Sequence, residues 1–490
     1  MTDDGWGGVP EGTADREPAG TEVPSASRPW SPVDPSTTSA SPPSPWTSAS
    51  TSASPGSRPR ARRHGGRLAA GTAAVVVALA LVVGVAVVVP RVLVSGTGAR
   101  AVSGPGSVRS SAASGSSTDP GAGAADRESA IAAMLVNRGA AVTRDDATAW
   151  RRTQTAAAKV PQFARLAPLP VTRWVYEIHS VDPGKDAATV VLDVGLHLRY
   201  DVDTVDAVVH ERVTVRRASS GWLVVAESTL GRRAQPWDLG AVSTVRGRRS
   251  LVIGIDTPTS TLRTYARLAD AAVPDISSVW GTDWAQRAVL LVPHTVAQLG
   301  RALGRTPASL DGYAAVTTGE LRADDAAAPA LRVWLNTPSM ADLSSIGRDV
   351  VLRHELTHVA TNAPGTPAVP LWLEEGFAEY VGYRGSGIGL TDELRELVQA
   401  QRAGSAPVHL PTQKTFDGAE VDLAYEGADL ACRVLAEKYG QTQLVRLYRL
   451  TIAGHGTEAA NLEAALREVT GTGTAALETA WHARLRALAS

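Results

Sequence analysis

Between Val190 and Tyr200 apolar and polar side chains alternate: Val190, Leu192, Val194, Leu196, Leu198 and Tyr200 on one side, Asp193, Gly195, His197 and Arg199 on the other. A period of two belongs to a strand with one buried face, and Val209, Val213 and Val215 repeat it against His210, Arg212, Thr214 and Arg216. The Ser219-Ser220-Gly221 turn then leads into Trp222-Leu223-Val224-Val225, so the pattern predicts an antiparallel meander. Ahead of it, Ile131, Met134 and Leu135 mark the apolar face of a helix over 126–150. His179, His197 and His210 fall on these strands as outward-facing residues.

Beyond residue 245 the texture changes to alternating helix and strand. Helices are predicted over 259–272 and 295–303, and strands over 287–292 and 331–336. Ile346, Val350, Leu352, Leu356 and Val359 recur at spacings of three and four and predict a helix over 348–362, ended by Pro364 and Gly365. The remainder reads as helices over 422–439, 441–452 and 458–488.

One stretch has neither period. Residues 68–89 are apolar or small for about 22 positions, enough for a helix to cross a hydrocarbon core. Arg58, Arg60, Arg62, Arg63 and Arg67 crowd its N-terminal side, which predicts a single-pass membrane protein with a cytoplasmic N-terminus and extracytoplasmic C-terminal domains. The chain then divides into a disordered tail (1–67) with no evident partner, a transmembrane helix (68–94) and a Gly/Ser/Ala-rich linker (95–125). Two folded domains follow, at 126–240 and 245–490, and the class expected for both is α+β, the second with a mostly helical C-terminal part.

Composition excludes more than it assigns. A net charge of −1 offers no field for nucleic acid, which is not an expected partner. The single cysteine, Cys432, rules out an intrachain disulfide and reads as a buried thiol on an apolar helix.

The chemistry enters with His354-Glu355-Leu356-Thr357-His358. On a helix, histidines four apart lie one above the other and can converge on one ion, while the glutamate sits beside the open coordination position. Neutral imidazole suits Zn²⁺, and a carboxylate there can take a proton from an attacking water, so the pattern points to a metallohydrolase. The class with a third histidine, HExxHxxGxxH, is excluded because Thr361 and Pro364 occupy its last two positions.

HELTH followed by Trp372-Leu373-Glu374-Glu375-Gly376-Phe377-Ala378-Glu379-Tyr380 resembles the gluzincin peptidases, in particular the aminopeptidase N-like group and the bacterial peptidase MA-like domains. The resemblance covers roughly the last 240 residues, at the size of one large domain. It implies one Zn²⁺ per chain held by His354, His358 and Glu375, with Glu355 as general base and acid and Glu374 directed elsewhere. Glu379, four residues beyond Glu375 on the same helical face, is the expected partner for the second nitrogen of His354. Ala424-Tyr425-Glu426-Gly427 looks like the family's tyrosine segment and makes Tyr425 the candidate oxyanion donor, although the family carries a Lys before the Gly and one more residue between Tyr and Gly. The Gly-Ala-Met-Glu-Asn segment that captures a free amine in aminopeptidases is missing, so exopeptidase action is not implied. In gluzincins a strand in the place of 331–336 borders the cleft, where an extended peptide can pair with it. The 126–240 segment looks cystatin-like or NTF2-like by pattern alone.

These readings describe a membrane-anchored zinc metallopeptidase acting on a peptide or protein substrate outside the cytoplasm. The alternative is a catalytically degenerate relative that keeps zinc and serves as a cell-surface binding or scaffold module.

Overall fold

The computed structural model describes residues 120–183, 186, 188–320, 330–363 and 369–490, all within one compact unit, Pro43–Ser490. The chain enters through α1 (Pro120–Thr143), α2 (Ala147–Arg152), β1 (Gln154–Lys159) and α3 (Phe163–Leu166), followed by β2 (Val171–Pro183), β3 (Thr189–Tyr200), β4 (Ala207–Ala218) and β5 (Gly221–Thr229). The helix expected over 126–150 is two helices. Asp145 takes a left-handed φ of 52°, and the Asp146 carboxylate restarts the chain by accepting from the N–H groups of Thr148 and Ala149.

The sheet order is β1-β5-β4-β3-β2, with β2 to β5 an antiparallel meander and β1 parallel to β5. Ile131, Met134 and Leu135 of α1 pack on Leu192, Val194, Val213 and Val224, the inward set of the alternation. Arg138 is also fully buried there, but its charge is matched: it grips Glu227 at 2.7 and 2.5 Å and lies 3.4 Å over the Trp150 ring. Of the three strand histidines, His179 and His210 face solvent, whereas His197 is buried against Glu177, with Nε2 2.8 Å from Oε2.

A second sheet follows: α4 (Pro236–Leu239), β6 (Val242–Arg246), β7 (Ser250–Ile255), α5 (Thr259–Trp280), β8 (Ala288–Pro293), α6 (Val296–Leu303), β9 (Ala315–Glu320) and β10 (Ala330–Leu335), in spatial order β6-β7-β8-β10-β9. Every residue of β7 and β8 is buried, as expected of strands covered on both faces. Leu251, Ile253, Ile255, Val289 and Leu291 join Leu196, Leu198 and Tyr200 in one core, while Val252, Leu290 and Val292 face α5 and the helices beyond. Helix α5 runs eight residues past its expected end, through Pro274, which sits on its exposed side.

The expected α+β class is corrected by this sheet. β7 pairs parallel with β8, and β8 with β10, so helices and strands interleave in crossovers and the architecture is mixed α/β. Hydrophobic alternation marks a strand without fixing which neighbour it takes or in which direction.

The membrane expectation is overturned as well. No helix among the described residues is long and apolar enough to cross a membrane. The longest, α1 and α5, carry charge along their length, including Arg127, Glu128 and Arg138 on the first and Arg263, Arg267 and Asp270 on the second. The 68–94 segment itself, like the 1–67 tail, lies outside the described residues, and single-pass anchoring with extracytoplasmic domains is without support.

The rest is helical: α7 (Thr337–Asp342), α8 (Ser345–Thr361), α9 (Leu371–Tyr383), α10 (Leu390–Glu393), α11 (Arg395–Ala403), α12 (Gln413–Phe416), α13 (Val421–Tyr439), α14 (Gln441–Ala453), α15 (Glu458–Thr470) and α16 (Thr474–Ala489). The last two were expected as one helix; Gly471, at φ 72°, ends the first and Gly473 starts the second. Helix α8 is buried nearly all round, and Ile346, expected on its apolar stripe, is 42% exposed.

Candidate metal centre

Three helices build the site. Ser344 starts α8 by accepting from the Gly347 N–H at 3.0 Å, and Asn362, in the left-handed region at φ 56°, ends it by bonding back to the His358 and Val359 carbonyls. Between these caps His354, Glu355 and His358 are at most 1% exposed. Helix α9 crosses α8 and brings Glu375 opposite the two imidazoles. Helix α13 crosses α9 so closely that a Cβ at Gly376 would lie 2.3 Å from the Ala428 carbonyl oxygen, so only glycine admits the approach that carries Tyr425 toward Glu375.

The Nε2 atoms of His354 and His358 are 3.0 Å apart, and Glu375 Oε2 is 3.2 Å from the first and 3.4 Å from the second. Bonds of about 2.0–2.1 Å at tetrahedral angles set donor atoms about 3.3 Å apart, so this buried triangle has the size that a zinc-like cation needs. Two imidazoles and one carboxylate also form a borderline-soft donor set suited to Zn²⁺ rather than to Ca²⁺ or Mg²⁺. Among the described residues no other group of His, Cys, Asp or Glu gathers in this way.

Carboxylates back both histidines. His354 Nδ1 lies 3.3 Å from Glu379 Oε1, and His358 Nδ1 lies 3.9 Å from Glu374 Oε1. Each ring therefore has Glu375 near one nitrogen and a second buried carboxylate near the other, at ion-pair rather than hydrogen-bond geometry. Burial disfavours charge on His354, Glu374, Glu375 and Glu379. At His354 the Glu379 and Glu375 carboxylates outweigh it and hold the imidazole up at about 10, while the two histidines hold Glu375 down at about 2. Burial prevails at Glu374 and Glu379, whose carboxyls are raised.

Glu355 lies beside the two histidines on α8 and reaches strand β9. Its Oε2 accepts from the Thr317 hydroxyl at 2.6 Å, and its Oε1, fully buried, has no hydrogen-bond partner among the described residues. Burial raises its pKa against the opposing pull of His354, His358 and Thr317, a shift toward the range useful to a general base. The Tyr425 ring is 6.4 Å from that of His354 and packs edge-on to Phe416 at 5.1 Å. Its hydroxyl is buried without a hydrogen-bond partner among the described residues, and burial together with Glu375 and Glu379 pushes its pKa well up, so it remains a neutral donor.

All six residues singled out in the sequence thus fall in one place. Two more were missed. Glu374, expected to point elsewhere, faces His358; the doubled glutamate Glu374-Glu375 on a buried helix was the available signal. Thr317 belongs to β9, a strand the apolar pattern did not reveal, although Val316-Thr317-Thr318 is a β-branched run. The strand predicted over 331–336 is β10, residues 330–335, which pairs on both sides, and among the described residues β9 is the edge of the sheet.

No protein-family model matches the chain, and no curated protein does. Among solved structures, a two-domain M1 zinc metallopeptidase crystallised as a mutant with bound L-arginine is similar over 56% of this chain, at 14% identity and a TM-score of 0.29. The match spans 58% of that protein's chain, and at this TM-score the likeness carries no argument.

Proposed function

We propose that the protein is a zinc-dependent peptidase whose centre is held by His354, His358 and Glu375. The observation that carries this reading is the buried triangle of two imidazole nitrogens and one carboxylate oxygen, 3.0 to 3.4 Å apart, with a second carboxylate behind each ring. Zinc held there would supply Lewis acidity, polarising a carbonyl and acidifying water.

The chain's own side chains divide the remaining work. Glu355 takes the proton of the attacking water on its unpartnered Oε1 and returns it to the leaving amine, while Thr317 fixes the carboxylate through Oε2. Tyr425 aims an uncommitted O–H at the negative charge that develops on the carbonyl oxygen. Among the described residues β9 ends the order of its sheet, so a substrate in extended conformation would add to it by main-chain hydrogen bonds, which favours peptides over small esters or amides.

The test is cleavage of an unbiased peptide library by the full chain, wild type beside Glu355→Gln. Cutting by the wild type alone, with zinc retained in both, supports the proposal; equal cutting by both, or cutting by neither, contradicts it.

A further inference from the structure

Away from this site, the turn between β6 and β7 and the loop leading into β8 enclose an open concavity of about 560 Å³ lined by Arg248, Arg249, Arg287, Gln286, Ala285 and Pro274. Three arginines line one depression, on a chain whose net charge is −1. No carboxylate among the described residues pairs with them. The acidic residues of the flanking segments are engaged elsewhere: Asp275 with Arg353 at 3.3 Å and Asp283 with Arg449 at 3.5 Å. Asp270 spends its oxygens on the N–H groups of Arg248 and Arg249, at 2.6 and 2.8 Å, and on the Ser250 hydroxyl.

Those Asp270 bonds have a second effect, since they pin the backbone from which two of the arginines project. Gly247 is crowded by the same carboxylate, with Oδ1 2.6 Å from where a Cβ would stand, so the turn has little freedom. The opposite wall is shaped by Gln286, a non-glycine residue at φ 49°, whose side-chain oxygen meets Arg249 Nη1 at 3.4 Å and whose backbone turn precedes Arg287. The cations are thus presented from fixed backbone with no carboxylate among the described residues paired to them, a charge set that suits an anion.

We infer that this concavity binds a phosphate-bearing ligand. One carboxylate would occupy one guanidinium fork, whereas a tetrahedral phosphate offers oxygens to three, and the volume leaves room for the group that carries it. The inference does not rest on the peptidase reading, since none of these residues belongs to the metal centre.

The experiment uses the full chain at low ionic strength. Calorimetric titration with inorganic phosphate and with glycerol 1-phosphate tests a dissolved ligand, and co-sedimentation with phosphatidylglycerol against phosphatidylcholine vesicles tests a lipid headgroup. Arg248 and Arg287 are exposed, so the double variant Arg248→Gln/Arg287→Gln should keep the wild-type melting temperature. Saturable binding in either arm, weakened at least about tenfold by that variant and unaltered by the charge-matched Arg151→Gln/Arg152→Gln, supports the inference and tells which source the phosphate has. Phosphate captured at the histidine centre would survive the double variant. Absence of binding in both arms, or binding that the double variant leaves intact, overturns it.

Discussion

Thr317 on strand β9 donates its hydroxyl to Glu355 Oε2 at 2.6 Å and leaves Glu355 Oε1 buried without a hydrogen-bond partner among the described residues. A carboxylate tied at one oxygen and bare at the other has one place to receive a proton. Glu355→Gln is expected to lower kcat by about a hundredfold to ten-thousandfold, the usual contribution of a general base. Thr317→Val should cost roughly tenfold in kcat, the scale of one buried hydrogen bond, with KM little changed. Steady-state kinetics on a peptide drawn from the library separates the two, and a Thr317→Val enzyme with wild-type kcat would remove the threonine from the mechanism.

The carboxylates behind the histidines act on metal retention. Glu379→Gln and Glu374→Gln should each weaken zinc affinity by about tenfold to a hundredfold, and Glu379→Gln more, because its contact is 3.3 Å against 3.9 Å. Competition with a zinc-binding dye reads this directly. Equal affinity in wild type and both variants would show that the two glutamates are bystanders.

Tyr425→Phe separates catalysis from folding. The hydroxyl has no hydrogen-bond partner among the described residues, so its removal should leave the melting temperature unchanged or slightly raised. Loss of an oxyanion donor should nevertheless lower kcat by about a hundredfold to a thousandfold at unaltered zinc content. A variant that melts like the wild type and turns over like it would make Tyr425 a core aromatic and nothing more.

Gly376→Ala tests the crossing that assembles the site. The added Cβ would meet backbone of α13, which cannot swing aside as a side-chain tip can, and overpacking of this kind costs about 1–3 kcal/mol. Thermal unfolding should register that loss, and kcat should fall with it as Tyr425 moves relative to Glu375. Wild-type stability in Gly376→Ala would mean that α9 and α13 are not so closely apposed.

The sequence reading went furthest where periodicity and motif coincide. Helices α8 and α9 carry strong local patterns, and a spacing of four on a helix is geometry, so His354 and His358 could be placed together before any fold was known. Glu379 followed by the same rule. Glu374 did not, because neighbours in a helix point about 100° apart and only the packing of α9 between α8 and α13 buries both of its faces. Strand order was illegible for a different reason. Val333 and Trp334 read as strand, but their pairing with Leu290 and Leu291 on one side and with Val316 and Thr317 on the other joins residues distant in the chain. Hence the parallel pairing went unforeseen and the class was misread as α+β. Helix ends were lost for local reasons, at Asp145 and Gly471, where a single left-handed residue interrupts an otherwise continuous pattern.

The central claim is that His354, His358 and Glu375 together hold one zinc ion. Elemental analysis of the purified full chain, beside a His354→Ala/Glu375→Ala double variant confirmed as folded by its circular dichroism, tests it most directly. The account predicts about one zinc per wild-type chain, as for a single three-residue site, and essentially none in the variant. Equal zinc in both proteins, or none in the wild type after exposure to zinc, would contradict it.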